Sequence, residues 1–249
     1  MRALTKITLA ALFAAAAPLV QADPGDPAPA TEPINTIYDL YLGGIKAGEL
    51  TIDASYDAER YKAFSVLRTA GIVGAVYKAS FEAETQGRLT DTGLVPDRFS
   101  ANSRMKKKHQ AVEMLYDGVA PKSVSAEPAF IPKPWEIEPT EQSGTIDPIT
   151  AAIAHLAPMP RANICNRTVE VYDGRRRYAI VMGKPEQDGK RIKCPAKYQR
   201  VAGFKPKMMK KSPEFPFDIW LEERPDGKAH VVRAAGESMF GLAVILLRQ

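Results

Sequence analysis

Cys165 and Cys194 carry the clearest chemistry in the sequence, because they are the two cysteines of a 249-residue chain. No Cys-x-x-Cys spacing is present to depress a thiol pKa, which disfavours a redox-active pair. In an exported protein an even pair most often forms a disulfide. The two cysteines flank an Asp173-Gly174 turn, so their bridge would tie the start of a hairpin to the strand after it. Closing a loop of about 29 residues is worth on the order of 3.5 kcal/mol as an upper-end entropic figure.

Other residues capable of chemistry do not assemble. His109, His155 and His230 fall in separate elements without Asp, Glu or Cys at ligand spacing, so no metal site is expected. Gly236-Glu237-Ser238-Met239 is followed by Phe240 where a nucleophile elbow needs Gly, and a strand rather than a helix follows. No Gly-rich phosphate loop and no calcium-binding loop appear, and no cofactor is expected. Asn166-Arg167-Thr168 has the form of a glycosylation sequon, which chance alone supplies at this length. No catalytic residue is assigned, and the expectation is a protein that is not an enzyme.

Charge is more informative. The chain has 34 Lys and Arg against 29 Asp and Glu, a formal net charge of +5. The excess gathers at 104–108 (RMKKK), 175–177 (RRR) and 205–211 (KPKMMKK). The plain reading of such runs is the solvated face of strands and turns. The functional reading is contact with anionic headgroups or an acidic partner through Lys106, Lys107, Lys108, Lys205, Lys207, Lys210 and Lys211. Met208 and Met209 sit among these lysines where they could dip into a lipid interface. Trp135 and Trp220 are further candidates for apolar ligand or partner contact, although with Phe215 and Phe217 they also suit ordinary packing. Nucleic acid is disfavoured, because aromatic side chains are not interleaved with the basic ones.

These residues need elements to hold them. Arg2 and Lys6 precede the apolar run 7–20 (ITLAALFAAAAPLV), and Val20-Gln21-Ala22 offers small residues at −3 and −1. That is the pattern of a signal peptide cleaved after Ala22, without the cysteine of a lipoprotein. Its removal lowers the net charge by two, and the expected address is the periplasm. No later stretch is long and apolar enough to span a membrane as a helix. Residues 23–33 (DPGDPAPATEP) carry neither aromatic nor branched aliphatic side chains and read as a flexible lead to one domain over 34–249.

Within that domain, period-2 alternation dominates. In 46–56, Leu50, Ile52, Ala54 and Tyr56 share one face, while Glu49, Thr51, Asp53 and Ser55 share the other. Similar runs cover 36–42, 61–69, 78–89, 98–104 and 107–116, then 168–172, 175–182, 190–201, 218–223, 229–234 and 242–248. Gly93-Leu94-Val95-Pro96 reads as a strand end, 70–77 as a helical turn or strand continuation, and 128–139 as a Pro-rich loop. Asp147-Pro148 is the one convincing helix start: Asp is a preferred N-cap, and Pro suits the first helical position. The expected fold is mainly β, a single curved antiparallel sheet or open barrel of about ten strands with one or two short helices.

Several short motifs occur in a telling order. They are Tyr41-x-Gly-Gly-x-Lys-Ala-Gly-Glu, Gly93-Leu94-Val95-Pro96 with Phe99, Asp147-Pro148, and Tyr172-Asp173-Gly174-Arg175-Arg176-x-Tyr178. Cys194, Arg200-x-x-Gly203-Phe204 and Gly241-Leu242-Ala243-Val244 complete the series. Together they resemble the bacterial family called domain of unknown function 3108, across 34–248. The resemblance implies a periplasmic, β-rich protein, similar in shape to the curved half-barrels of periplasmic lipoprotein carriers, with an apolar concave face. It supplies no catalytic residue. Combined with the basic rim, it makes a lipid or a lipoprotein acyl chain the expected ligand in a role of cell-envelope maintenance. Peripheral membrane contact would accompany that role. A scaffold binding another envelope protein through the Trp135 loop is the alternative, and an envelope hydrolase the second alternative.

Overall fold

Side chains that alternate with period 2 bury one face of each strand, and here those faces combine into a single sheet. The computed structural model describes residues 32–248. The expected leader, residues 1–22, and residues 23–31 of the lead lie outside the described residues. Seven strands form an antiparallel meander: β1 (Ile34–Leu42), β2 (Ile45–Tyr56), β3 (Arg60–Thr69), β4 (Ala79–Thr90), β5 (Gly93–Met105), β6 (Lys108–Asp117) and β7 (Ala120–Glu127). A short helix, α1 (Gly71–Val76), connects β3 to β4.

The chain then crosses through α2 (Pro148–Leu156) and the two-residue β8 (Met159–Pro160) to the second half. This half holds β9 (Thr168–Tyr172), β10 (Arg177–Met182), β11 (Glu186–Asp188) and β12 (Arg191–Ala202). After α3 (Pro206–Lys211) come β13 (Glu214–Glu223), β14 (Lys228–Ser238) and β15 (Gly241–Leu247). β1 pairs with β15, which joins both halves in the order β7-β6-β5-β4-β3-β2-β1-β15-β14-β13-β12-β10-β9. The sheet is antiparallel throughout, and β7 and β9, its two ends, do not pair with each other.

Among the described residues there are fifteen strands and three α-helices, where about ten strands and one or two helices were expected. The additional strands are short or polar. β8 and β11 span two and three residues, and β7 (APKSVSAE) carries few apolar side chains to mark an alternation. Pro96, expected to end a strand, lies inside β5, beside a register shift at Gln86/Gly87 of β4 that absorbs its missing donor.

The inward positions of β3, β4 and β5 are small: Ala63, Ser65, Ala83, Thr85 and Ala101 are all buried. That leaves room for α2, which packs against β3, β4, β5, β9 and β14, elements far apart in the strand order. The sheet is therefore wrapped around the helix. Ile149 and Ile153 of α2 join Ile52, Phe99, Met114 and Tyr172 in one core. At the seam between the sheet's two ends, Gly174 (φ +92°) lies where an added Cβ would meet Val112 of β6 at 3.2 Å. The segment before α2 spans the rest of the gap. Gly144 N–H donates to the Val119 carbonyl, and Ile146 bonds on both sides to β9 through Glu170 and Tyr172.

Asp147 links these parts. Its carboxylate is fully buried; Oδ1 accepts from the Ile149 and Thr150 amides, and Oδ2 accepts from the Thr85 and Thr150 hydroxyls. The Tyr61 hydroxyl lies 2.7 Å from Thr150 Oγ1 and extends the network to β3. Burial raises the Asp147 pKa, and the surrounding donors oppose that rise.

The other end of the helix leads into a floor. Residues 157–167 lie beneath β12, β13 and β14, with β8 paired to Lys228 and Ala229. The expected disulfide is present: Cys165 bonds Cys194 of β12, with the Cα atoms 5.7 Å apart. Both cysteines are buried in a second core with Ile164, Ile219, Leu221 and Val231.

Asp147→Ala should cost about 2–4 kcal/mol, because it removes an N-cap and strands two buried hydroxyls. Thermal unfolding should show a melting temperature lower by on the order of 10 °C. Asp147→Asn keeps the capping oxygen and should lose less than half as much.

Candidate functional site

α2 fills only part of the interior. A cavity of about 800 Å³ lies at the level of Leu40, Leu67, Phe81, Phe215 and Val244. A second, of about 270 Å³, lies between the sheet and the Ala151–His155 side of α2. Phe217, Ala234 and Ile245 line both, so the two adjoin. The linings are overwhelmingly aliphatic and aromatic, as inward strand positions require.

His155 of α2 borders the inner cavity. Its Nδ1 lies 2.7 Å from the Ala151 carbonyl, so Nδ1 carries the proton and Nε2 is an acceptor. Nε2 is buried and has no partner among the described residues. Burial, with the nearby Arg167 guanidinium second, holds the His155 pKa down at about 4, against the opposing pull of the Ala151 carbonyl. The imidazole is thus a neutral acceptor at any ordinary pH.

Register fixes where the larger cavity opens. The β1–β2 turn at Gly43-Gly44, the loop carrying α1, the β5–β6 turn at Lys106-Lys107 and the β14–β15 turn at Met239-Phe240 all fall at one end. Met105, Val73, Ala79 and Glu237 line the cavity at this level. The opposite end carries the floor and the disulfide.

The residues singled out in the sequence fall into three groups. Lys106, Lys107 and Lys108 are exposed on the β5–β6 turn at the open end. Lys205, Lys207, Lys210 and Lys211 are exposed in and beside α3, with Met208 exposed and Met209 half-buried. Trp135 meets this second group: the Lys205 ammonium stands over its ring at 5.8 Å, and both line a separate 140 Å³ pocket with Met208. Trp220 stands apart on the outer wall, with Arg233 over its ring at 4.3 Å and its Nε1–H donating to Asp188 at 2.7 Å. None of Trp135, Met208, Met209 and Trp220 lines the two apolar cavities.

Ser238 serves its turn, with the Phe240 amide donating to its Oγ at 3.1 Å and that hydroxyl donating to the Gly241 carbonyl. Among the described residues no three His, Cys, Asp or Glu side chains are placed to hold a metal, and no helix is long and apolar enough to cross a membrane. The cavity residues themselves were visible in sequence only as one face of each alternating strand. The signal that would have found them is which face carries the small residues that make room for α2.

A sheet rolled around one internal helix, unclosed at its seam and hollow towards one end, defines a β-barrel-like protein. The chain belongs to the family described as protein of unknown function DUF3108, whose sequence model matches residues 37–248. It is also similar to the crystal structure of a β-barrel-like protein of domain of unknown function DUF1849 from Brucella abortus. The two share 14% identity over 88% of this chain and 97% of that one, with a TM-score of 0.48. No curated protein matches the chain.

Because folded His155 stays neutral while the unfolded chain takes up a proton below about 6.5, stability should fall as pH drops from about 6.5 to about 4. Melting curves across that interval should show this, and His155→Phe should flatten the slope there.

Proposed function

We propose that this protein is a non-enzymatic carrier that holds the apolar chain of an amphiphile, a lipid or a lipoprotein acyl chain, inside its rolled sheet. The observation that carries this reading is the 800 Å³ apolar cavity, which continues past Phe217, Ala234 and Ile245 to the inner cavity. Its size falls within the range of about 300–1,000 Å³ usual for small-molecule sites. An apolar interior open at one end suits a chain that enters lengthwise and leaves its polar end at the mouth. The expected export signal and the disulfide together support an oxidising compartment, the periplasm, as the place of action.

Ala234 stands where the two cavities adjoin, so Ala234→Phe should block the passage while filling space the fold already leaves open. Native mass spectrometry of protein purified without detergent should find an amphiphile adduct on the wild type and a much weaker one on Ala234→Phe. The variant should melt within a few degrees of the parent. A wild type that carries no adduct and gains no melting temperature from added phospholipid or lysophospholipid contradicts the reading.

A further inference from the structure

We infer that the open end of the barrel is a docking surface for an anionic lipid bilayer, built from apolar tips set in a ring of unpaired lysines. Four turns make a continuous rim there. Gly43 N–H donates to the Leu242 carbonyl, and a Cβ on Gly43 (φ +55°) would stand 2.9 Å from the Phe240 carbonyl, so the β1–β2 and β14–β15 turns touch. Ala70 N–H donates to Ala47 O, which joins the α1 loop to β2. Lys106 N–H donates to Lys78 O, and its ammonium lies 5.0 Å from the Tyr77 ring centroid, which joins the β5–β6 turn to the same loop.

The tips of this rim are apolar and outward. Met239 is 89% exposed, Val76 84%, Ile72 75% and Phe240 67%, and Ile45 and Met105 are also exposed. α1 fully buries none of its residues: Val73 turns to the cavity, while Ile72 and Val76 are left outside the fold. Large apolar side chains gathered at one end of a molecule mark an interaction site rather than ordinary surface.

The charges around these tips decide what that site meets. On the barrel wall, charged residues pair across neighbouring strands: Lys62 with Glu84, Arg98 with Glu113, Arg177 with Glu170, Arg191 with Glu222. Lys78, Arg104, Lys106, Lys107 and Lys108 at the rim form no ion pair among the described residues, and neither do the lysines of the α3 segment. No acidic residue lies within the α1 loop, the β5–β6 turn or the β14–β15 turn. At the opposite end the turns carry both signs: Asp57, Glu59, Asp91, Asp117 and Asp226 together with Lys184, Lys190, Arg224 and Lys228. The unpaired cations of the mouth attract a negative surface to that end. Apolar tips that insert, flanked by lysines at headgroup level, match a bilayer of anionic phospholipid. An acidic protein partner would satisfy the lysines without accounting for the apolar tips, such as Met239, that stand out from the rim.

Vesicle flotation tests this with the intact folded protein. Wild type should float with phosphatidylcholine vesicles that contain phosphatidylglycerol, float poorly with phosphatidylcholine alone, and detach as salt is raised. The double variant Met239→Ser/Phe240→Ser should bind at least tenfold more weakly, from the apolar area it no longer inserts. Lys106→Glu/Lys107→Glu should lose at least as much. Ile72→Ser/Val76→Ser provides a second apolar pair on a different turn, and Val119→Ser at the opposite end should bind as wild type. All of these residues are exposed, and unchanged melting curves confirm the folds. Ala234→Phe should float as wild type, so failure of docking and failure of ligand carriage are separately visible. Equal flotation of both apolar double variants and the parent overturns the inference. So does indifference to phosphatidylglycerol, or a protein crosslinked at Phe240 in cells without any vesicle binding.

Discussion

One carboxylate, buried without a cation, holds the fold together. Asp147 satisfies the first amides of α2 with one oxygen and hydroxyls from β4 and α2 with the other. A charge or a carboxyl in an apolar interior is expensive unless its hydrogen bonds are complete, and here four donors complete them. The same residue follows directly on the segment that bonds to β9, so helix, sheet and seam are positioned by one side chain. The small residues of β3–β5 then make sense as the counterpart of this arrangement: a helix anchored at that point needs the space they leave.

The placement of α2 divides the barrel into two unlike ends. Towards the floor, the helix, residues 157–167 and the disulfide fill the interior with close-packed side chains. Towards the mouth, the inward positions carry Leu40, Phe81, Phe215 and Ile245 with nothing from the chain's own core opposite them. The apolar interior at that end is thus a consequence of where the helix is tethered. Charge follows the same division, with paired charges on the wall, both signs mixed at the floor and unpaired lysines at the mouth.

Much of this architecture was legible in the sequence because alternation is a local signal. β9 falls on the residues expected, and most long strands agree to within a few positions. The Asp147-Pro148 helix start and the Cys165–Cys194 bridge also follow from local rules. What stayed hidden depends on long-range geometry. β7 is too polar to show a pattern, and α3 reads as a charge run because it buries no residue. Alternation separates two faces but does not say which is concave, so Leu67, Phe217 and Ala234 gave no sign of lining a common space. The rim residues were obscure for a related reason. Ile72, Val76, Met239 and Phe240 lie far apart in sequence, and only strand register brings their turns to one end.

The seam between β7 and β9 has a mechanical meaning. Everywhere else around the circumference the wall is a ladder of backbone hydrogen bonds, stiff against stretching. At the seam it depends on the Gly144–Val119 bond, the bonds of Ile146 to β9, and side-chain contact beside Gly174. Any hoop tension on the wall therefore concentrates on this line. Widening the wall along that line would break these few bonds and none of the pairings between the named strands.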